Sequence, residues 1–236
     1  DCRDQGRWIC SMGLNHEAPI KRFWDNISGA ELDPSLVLEA RAEEIKEILK
    51  YNVYTKVPIS QCWNKTNKRP IGTRWVDINK GDEDNREYRS RLVAKEIKVD
   101  KRLDLFAATP PLEAKKLLFS FAVTEGIGFE RGREREGKKI DFIDIKRAYF
   151  QAESIREVYV ELPAEDAEEG MCGLLRKSMY GTRDAAQNWG EAYMGFVEST
   201  GFTKGVGSPC VFHHPKRDLT CVIHGDDFTV LGWNQQ

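Results

Sequence analysis

The chain has 236 residues, with 36 Lys/Arg against 38 Asp/Glu and 40% hydrophobic residues. That is apolar material enough for a real core in one large or two small domains, and a near-balanced charge selects no partner class. No apolar run approaches the roughly 18 residues needed to cross a bilayer and no signal peptide opens the sequence, so the reading excludes a membrane role. The six cysteines (positions 2, 10, 62, 172, 210 and 221) show no paired spacing and read as reduced thiols of an intracellular protein.

Residues 1–32 carry scattered aromatics without a period and read as a tail or linker. Asp33-Pro34 then offers an N-cap and a proline at the first helical position. Leu38, Ala42, Ile45 and Leu49 define one apolar face of a helix running to Lys50. Residues 75–79 and 88–95 read as two strands around the polar loop 80–85. Pro110-Pro111 starts a second helix with Leu117, Leu118, Phe121 and Ala122 apolar, ended by Gly126. Strands follow at 139–145, 158–163 and 174–177, then a helix over 185–199 with Trp189, Tyr193, Phe196 and Val197 as its buried stripe. Residues 210–213 and the run entering Asp226-Asp227 close the series. Strands separated by helices and ending in antiparallel hairpins predict an α+β fold, an antiparallel sheet packed on helices.

The stretch Cys221-Val222-Ile223-His224-Gly225-Asp226-Asp227-Phe228-Thr229-Val230 places two carboxylates between β-prone runs, with glycine just before them. Neighbouring strand residues face opposite ways, so a mid-strand pair would waste one carboxylate, whereas on a tight turn both reach the same side. A second acidic strand, Lys139-Ile140-Asp141-Phe142-Ile143-Asp144-Ile145, lies 82 residues upstream of Asp226. Carboxylates at a strand end plus a pair on a hairpin suit a two-magnesium phosphoryl-transfer centre; the competing reading is a solvated Asp-Asp turn. Residues 64–102 hold 12 Lys/Arg against 7 Asp/Glu, a patch suited to a polyanion over metal ions. The basic run 131–139 reads as a solvated loop. Cys210, His213 and His214 lack the second ligand pair a zinc site needs, and 82–85 lacks the glycine and terminal glutamate of a calcium loop.

Six blocks stand in one order: Ile71-Gly72-Thr73-Arg74-Trp75-Val76, Arg91-Leu92-Val93-Ala94-Lys95, Phe106-Ala107-Ala108-Thr109-Pro110, Asp144-Ile145-Lys146-Arg147-Ala148-Tyr149-Phe150, Ser178-Met179-Tyr180-Gly181-Thr182-Arg183-Asp184-Ala185-Ala186-Gln187-Asn188-Trp189, and the Asp226-Asp227 hairpin. In this order the chain resembles the reverse transcriptase of copia-type LTR retrotransposons, from about Phe23 to Gly232. The resemblance implies the fingers and palm of a right-hand polymerase over 33–236, truncated without thumb or RNase H. It implies an RNA-directed DNA polymerase fragment of a polyprotein, working on RNA template, DNA primer and deoxynucleoside triphosphates beside integrase and RNase H domains, in a cytoplasmic retroelement particle. The alternative is an inactive relic or a domesticated fragment that binds nucleic acid or a partner.

The resemblance also implies roles. Asp144 and Asp226 would bridge two Mg²⁺ ions (Mn²⁺ as substitute) set about 3.5–4 Å apart, with the Ile145 carbonyl on the nucleotide side and Asp227 completing the catalytic cluster. Tyr149 would lie beneath the incoming sugar and exclude a 2′-hydroxyl. Arg91 and Lys95 would meet the triphosphate, with Lys80 a weaker candidate. Tyr180 and Gly181 would border the nucleotide and template, and Trp189 would pack the helix behind them. His224-Gly225 departs from the family's usual Tyr and small aliphatic, and Gly-Asp-Asp also suits RNA-dependent RNA polymerases. Tyr149 stands where those enzymes carry a second aspartate and would exclude their ribonucleotide. Ala186 replaces a common proline and leaves its turn less rigid.

Overall fold

A computed structural model describes residues 22–82, 84–97, 105 and 107–233. The first 21 residues of the expected tail, Glu83 of the polar loop and Phe106 of the third block lie outside the described residues. Part of the expected tail is folded. Strand β1 (Phe23–Trp24) pairs antiparallel with β2 (Glu31–Leu32), and Phe23 and Leu32 are buried with Val37. Asp25 organises this hairpin, accepting from the amides of Ile27 and Ser28 (2.7 and 2.8 Å) and from that of Asn79 (2.7 Å). Two-residue strands carry no periodic signal, so the turn chemistry of Asp25 was the only clue.

Helix α1 (Pro34–Lys50) starts as expected, with Asp33 accepting from the amides of Ser35 and Leu36. Its buried face is not the expected one. Val37, Ala40, Glu44 and Ile48 are buried, whereas Leu38 and Leu49 are exposed. The stripe lies one residue earlier because it contains a glutamate, which an apolar count rejects. Then come β3 (Tyr54–Pro58) and α2 (Ile59–Thr66), neither expected, since only Cys62 of α2 is buried. The hairpin β4 (Thr73–Asn79) and β5 (Tyr88–Ala94) follows its prediction. Arg41 of α1 joins α1 to that hairpin by two hydrogen bonds to Asp77 (3.1 and 2.6 Å).

Helix α3 (Leu112–Ala122) is followed by β6 (Lys138–Asp144), one short turn of helix α4 (Ala148–Gln151), β7 (Tyr159–Val160) and β8 (Met171–Leu175). The strand expected to Pro163 stops at Val160, and Pro163 precedes a 3₁₀ turn. Helix α5 (Ala185–Ser199) has the expected bounds, with Trp189, Tyr193 and Val197 buried and Phe196 exposed. Strands β9 (Thr203–Lys204), β10 (Val211–His214), β11 (Leu219–His224) and β12 (Asp227–Trp233) complete the order.

The largest sheet runs β6-β12-β11-β10-β9, every pair antiparallel; a second runs β3-β8-β7. Period-two alternation sorts its faces. Cys221 and Ile223 pack with Trp189 and Tyr193 of α5, and Val222 packs with Leu118 of α3. A second core joins Ile48, Leu92, Val160 and Met179 with Phe150 of α4. Helix α4 therefore bridges two cores, Ala148 in the sheet core and Phe150 in the other, and this fixes the segment just after Asp144.

Candidate active site

Asp144 ends β6, where it is the direct cross-strand partner of Asp227. Asp226 is the second residue of the two-residue loop between β11 and β12, closed by the His224–Asp227 pair. Gly225 takes φ +65° while Asp226 does not take a positive φ, the sign pattern of a II′ turn, which calls for glycine at its first central position. The Ile145 amide donates to the Asp226 carbonyl (2.9 Å), so the hairpin and the end of β6 are held together. Carboxylate oxygens of Asp144, Asp226 and Asp227 lie within 4.8 Å of one another, on exposed residues. An all-oxygen, convergent donor set fits hard divalent cations such as Mg²⁺ or Mn²⁺ and not a soft ion that seeks thiolates.

Trp189 does more than pack its helix. Its indole N–H donates to the Gly225 carbonyl (2.7 Å), anchoring the loop from behind. The partner lies 36 residues away in sequence, so no local pattern announces the bond.

The three carboxylates line a cleft of about 730 Å³ whose other walls are α1 and the β4–β5 hairpin. Lys80, Arg89 and Arg91 line it from the hairpin; Ile145, Lys146 and Arg147 line it from the turn after Asp144. Cations from two separate segments thus face the acidic rim, while Glu43 and Glu47 of α1 and Glu87 of the hairpin line the same cleft, so its charge is mixed. The Arg91 guanidinium lies 4.6 Å over the Tyr180 ring, and Tyr180 packs against Tyr149 with ring centres 4.7 Å apart. Burial raises the Tyr149 hydroxyl above its ordinary value, the Asp226 charge adds to this, and Arg91 opposes it. Phe150 is fully buried and belongs to the core.

Other expected site residues fall elsewhere. Lys95 lies over Gly72 beside Glu161, its amide bonded to the Gly72 carbonyl (2.8 Å), and it does not line the cleft. Gly181 takes φ +83°, and a Cβ there would stand 2.0 Å from the Ala94 carbonyl oxygen. The Ala94 amide in turn donates to the Tyr180 carbonyl (2.8 Å). The close approach that Gly181 permits is therefore between its own loop and β5. Arg89, Lys146, Arg147 and Glu44 escaped the sequence reading; for Glu44 the clue was a stripe at 37, 40, 44 and 48 as regular as the one chosen.

The structure thus brings three carboxylates together at a strand end and a hairpin, on the rim of a cleft lined by both cations and carboxylates. The chain belongs to the family described as reverse transcriptase (RNA-dependent DNA polymerase), whose family model matches residues 51–235. It is 24% identical over 207 residues to the retrovirus-related Pol polyprotein from transposon TNT 1-94 of Nicotiana tabacum. That alignment takes in 83% of the chain and 14% of the polyprotein. The corresponding polyproteins from transposons RE1 and RE2 of Arabidopsis thaliana are each 24% identical over 170 residues, 69% of the chain and 11% of their own length. The resemblance to retrotransposon reverse transcriptases drawn from motif order is borne out, and the chain spans a small part of the relatives it matches. No helix among the described residues is long and apolar enough to cross a membrane.

Proposed function

We propose that residues 33–236 are the fingers and palm of an RNA-directed DNA polymerase, one piece of a retrotransposon polyprotein, extending a DNA primer on an RNA template. The observation that carries this reading is the convergence of Asp144, Asp226 and Asp227 within 4.8 Å on the rim of a cleft that Lys80, Arg89 and Arg91 also line. Bound there, two Mg²⁺ ions supply activation of the primer hydroxyl and charge neutralisation at the α-phosphate. Asp144 and Asp226 would hold them, with Asp227 and the Ile145 carbonyl as further ligands. Arg91 neutralises the polyphosphate, since guanidinium groups meet phosphate oxygens in a fixed fork. Arg89 and Lys80 on the same wall add positive potential.

Tyr149 and Tyr180 are not among the residues that line the cleft; they stack behind it, the Tyr149 ring against Tyr180 and the cleft residue Arg91 over the Tyr180 ring. In the polymerase reading this ring would lie beneath the incoming sugar, leave no room for a 2′-hydroxyl and select deoxynucleotides. Tyr180 supports the gate, and Lys95, packed over Gly72 beside Glu161 and outside the cleft, has no triphosphate role in this reading. The β6–β12 strands and the Gly225-Asp226 hairpin form the palm; α1 with β4 and β5 belongs to the fingers. The thumb, RNase H and integrase are partners elsewhere in the polyprotein.

The test is primer extension on poly(rA)/oligo(dT) with Mg²⁺ and dTTP, comparing the parent chain with Asp226→Asn. Extension by the parent alone supports the assignment. Equal extension by both removes Asp226 from the centre, and extension by neither, with the downstream thumb supplied, sinks the polymerase reading for this chain.

A further inference from the structure

Glu44 is fully buried on α1, and its Oε2 lies 2.8 Å from Nη2 of Arg147. Arg147 is itself only 16% exposed at its side chain. It takes φ +54°, a left-handed conformation that costs a residue with a Cβ roughly 1–2 kcal/mol. Such a conformation persists only where the surroundings over-determine it.

The surroundings do so here from both sides. Upstream, the Ile145 amide is bonded to the Asp226 carbonyl; downstream, Ala148 and Phe150 are buried in separate cores and the Phe150 amide donates to the Arg147 carbonyl (2.8 Å). Lys146 and Arg147 must make the whole change of direction between those anchors. The ion pair ties the apex of this turn to α1, which Arg41 and Asp77 fix to the β4–β5 hairpin. The charges of Arg89 and Arg91 also favour the ionised form of Glu44. Both Glu44 carboxylate oxygens, Arg91 Nε and Arg147 Nε are buried without a hydrogen-bond partner among the described residues, so the cluster is held by charge at close range and not by directed hydrogen bonds, and it depends on the Glu44 charge. Burial raises the Glu44 carboxyl above its ordinary value, opposed in turn by Arg147, Arg91 and Arg89.

We propose that Glu44 is a positioning residue for nucleotide selection, holding Arg147 in its left-handed turn and so fixing Tyr149, two residues on, relative to Asp144. The inference rests on the polymerase reading for its function, and on geometry alone for the strut. Glu44 touches neither metal site nor substrate, and it acts through Arg147. Glutamine at position 44 keeps the shape and removes the charge, leaving Arg147 among like charges; glycine at position 147 adopts φ +54° without strain and needs no strut.

The experiment compares parent, Glu44→Gln and the double variant Glu44→Gln/Arg147→Gly by hydrogen–deuterium exchange of peptides covering 145–152. Glu44→Gln should speed exchange there about tenfold, an opening of the strained turn, while β10 and β11 keep their protection. Adding Arg147→Gly should restore it. Unchanged exchange, or a rise spread evenly over the chain, overturns the strut. The second readout is dTTP against UTP in primer extension, where Glu44→Gln should lower the discrimination about tenfold through a displaced Tyr149 and the double variant recover it. Local loosening with undiminished discrimination overturns the positioning role. A parent chain that extends no primer even with the thumb supplied defeats the polymerase reading and with it the role in nucleotide selection, while exchange still decides whether Glu44 holds the turn.

Discussion

Asp144 and Asp227 face each other directly across the β6–β12 ladder, two like charges at adjacent cross-strand positions. Direct like-charge pairs destabilise a sheet, and Asp226 adds a third carboxylate within reach. The fold tolerates this because the pair lies at the strand end, exposed to water, and because a cation there would turn repulsion into a bridge. Asp227→Asn should therefore raise the melting temperature in metal-free buffer by roughly one or two degrees. Mg²⁺ should stabilise the parent more than the variant. Thermal denaturation with and without Mg²⁺ reads both effects, and a variant that melts no higher than the parent in chelator contradicts the account.

The hairpin carrying Asp226 depends on Trp189. Phenylalanine keeps most of the ring in the cluster with Tyr193 and Phe212 but removes the N–H that satisfies the Gly225 carbonyl. Trp189→Phe should cost about 1–2 kcal/mol in urea denaturation, the penalty of an unmade bond at a mostly buried site. Nucleotide addition should fall by more than stability predicts, since the lost bond aims the Asp226 loop. Equal activity at matched folded fraction would show that the β11–β12 ladder alone sets the loop.

Gly181 and Gly225 both take positive φ, yet they should respond differently to substitution. A Cβ at Gly181 meets the Ala94 carbonyl at 2.0 Å, whereas at Gly225 nothing lies within 4 Å. Gly181→Ala should therefore cost about 3 kcal/mol, strain and overpacking together. Gly225→Asn should cost less, about 1–2 kcal/mol, because the first position of a II′ turn strains any residue with a Cβ but nothing crowds it there. Denaturation of the two variants side by side checks the ranking; equal losses would mean that the β5 contact is free to relax.

These cases also mark what was legible in the sequence. Asp144, Asp226 and Asp227 were legible because carboxylates at a strand end and on a glycine turn are local patterns with a chemical reason. The helices α1 and α5 were legible through caps and period. Glu44 was hidden because a buried glutamate breaks the apolar stripe that a reader counts, and only its distant partner Arg147 makes the burial affordable. Trp189 reads as a packing residue until the chain brings Gly225 to its N–H. Lys95 shares the basic strand with Arg91, and its diversion toward Gly72 and Glu161 depends on where β5 ends. Strand β3 and helix α2 are short and half-buried, so they offer too few apolar positions to declare a period.

The N-terminus of α5, one turn before Trp189, is held by an ion pair whose pH dependence is open to test. Arg156 donates to both carboxylate oxygens of Asp184 (2.9 and 3.0 Å) and to Glu96 (2.6 Å). Burial works to raise the Asp184 carboxyl, but the hydrogen bonds and charge of Arg156 outweigh it and hold the group below the ordinary aspartate range. A carboxyl lowered by folding adds stability that is present above its unfolded value, about 3.9, and is lost as pH falls through the lower folded value. Asp184→Asn should thus be less stable than the parent by about 2 kcal/mol at pH 7, reduced from the fully buried case because Arg156 is a third exposed. The gap should hold down to about pH 5 and narrow below about pH 4, as the parent protonates and the variant does not. Urea denaturation of both chains at pH 7, 5 and 3.5 measures it. A gap that stays constant to pH 3.5 would show that shape at position 184, and not its charge, secures the start of α5 and the tryptophan behind the aspartate loop.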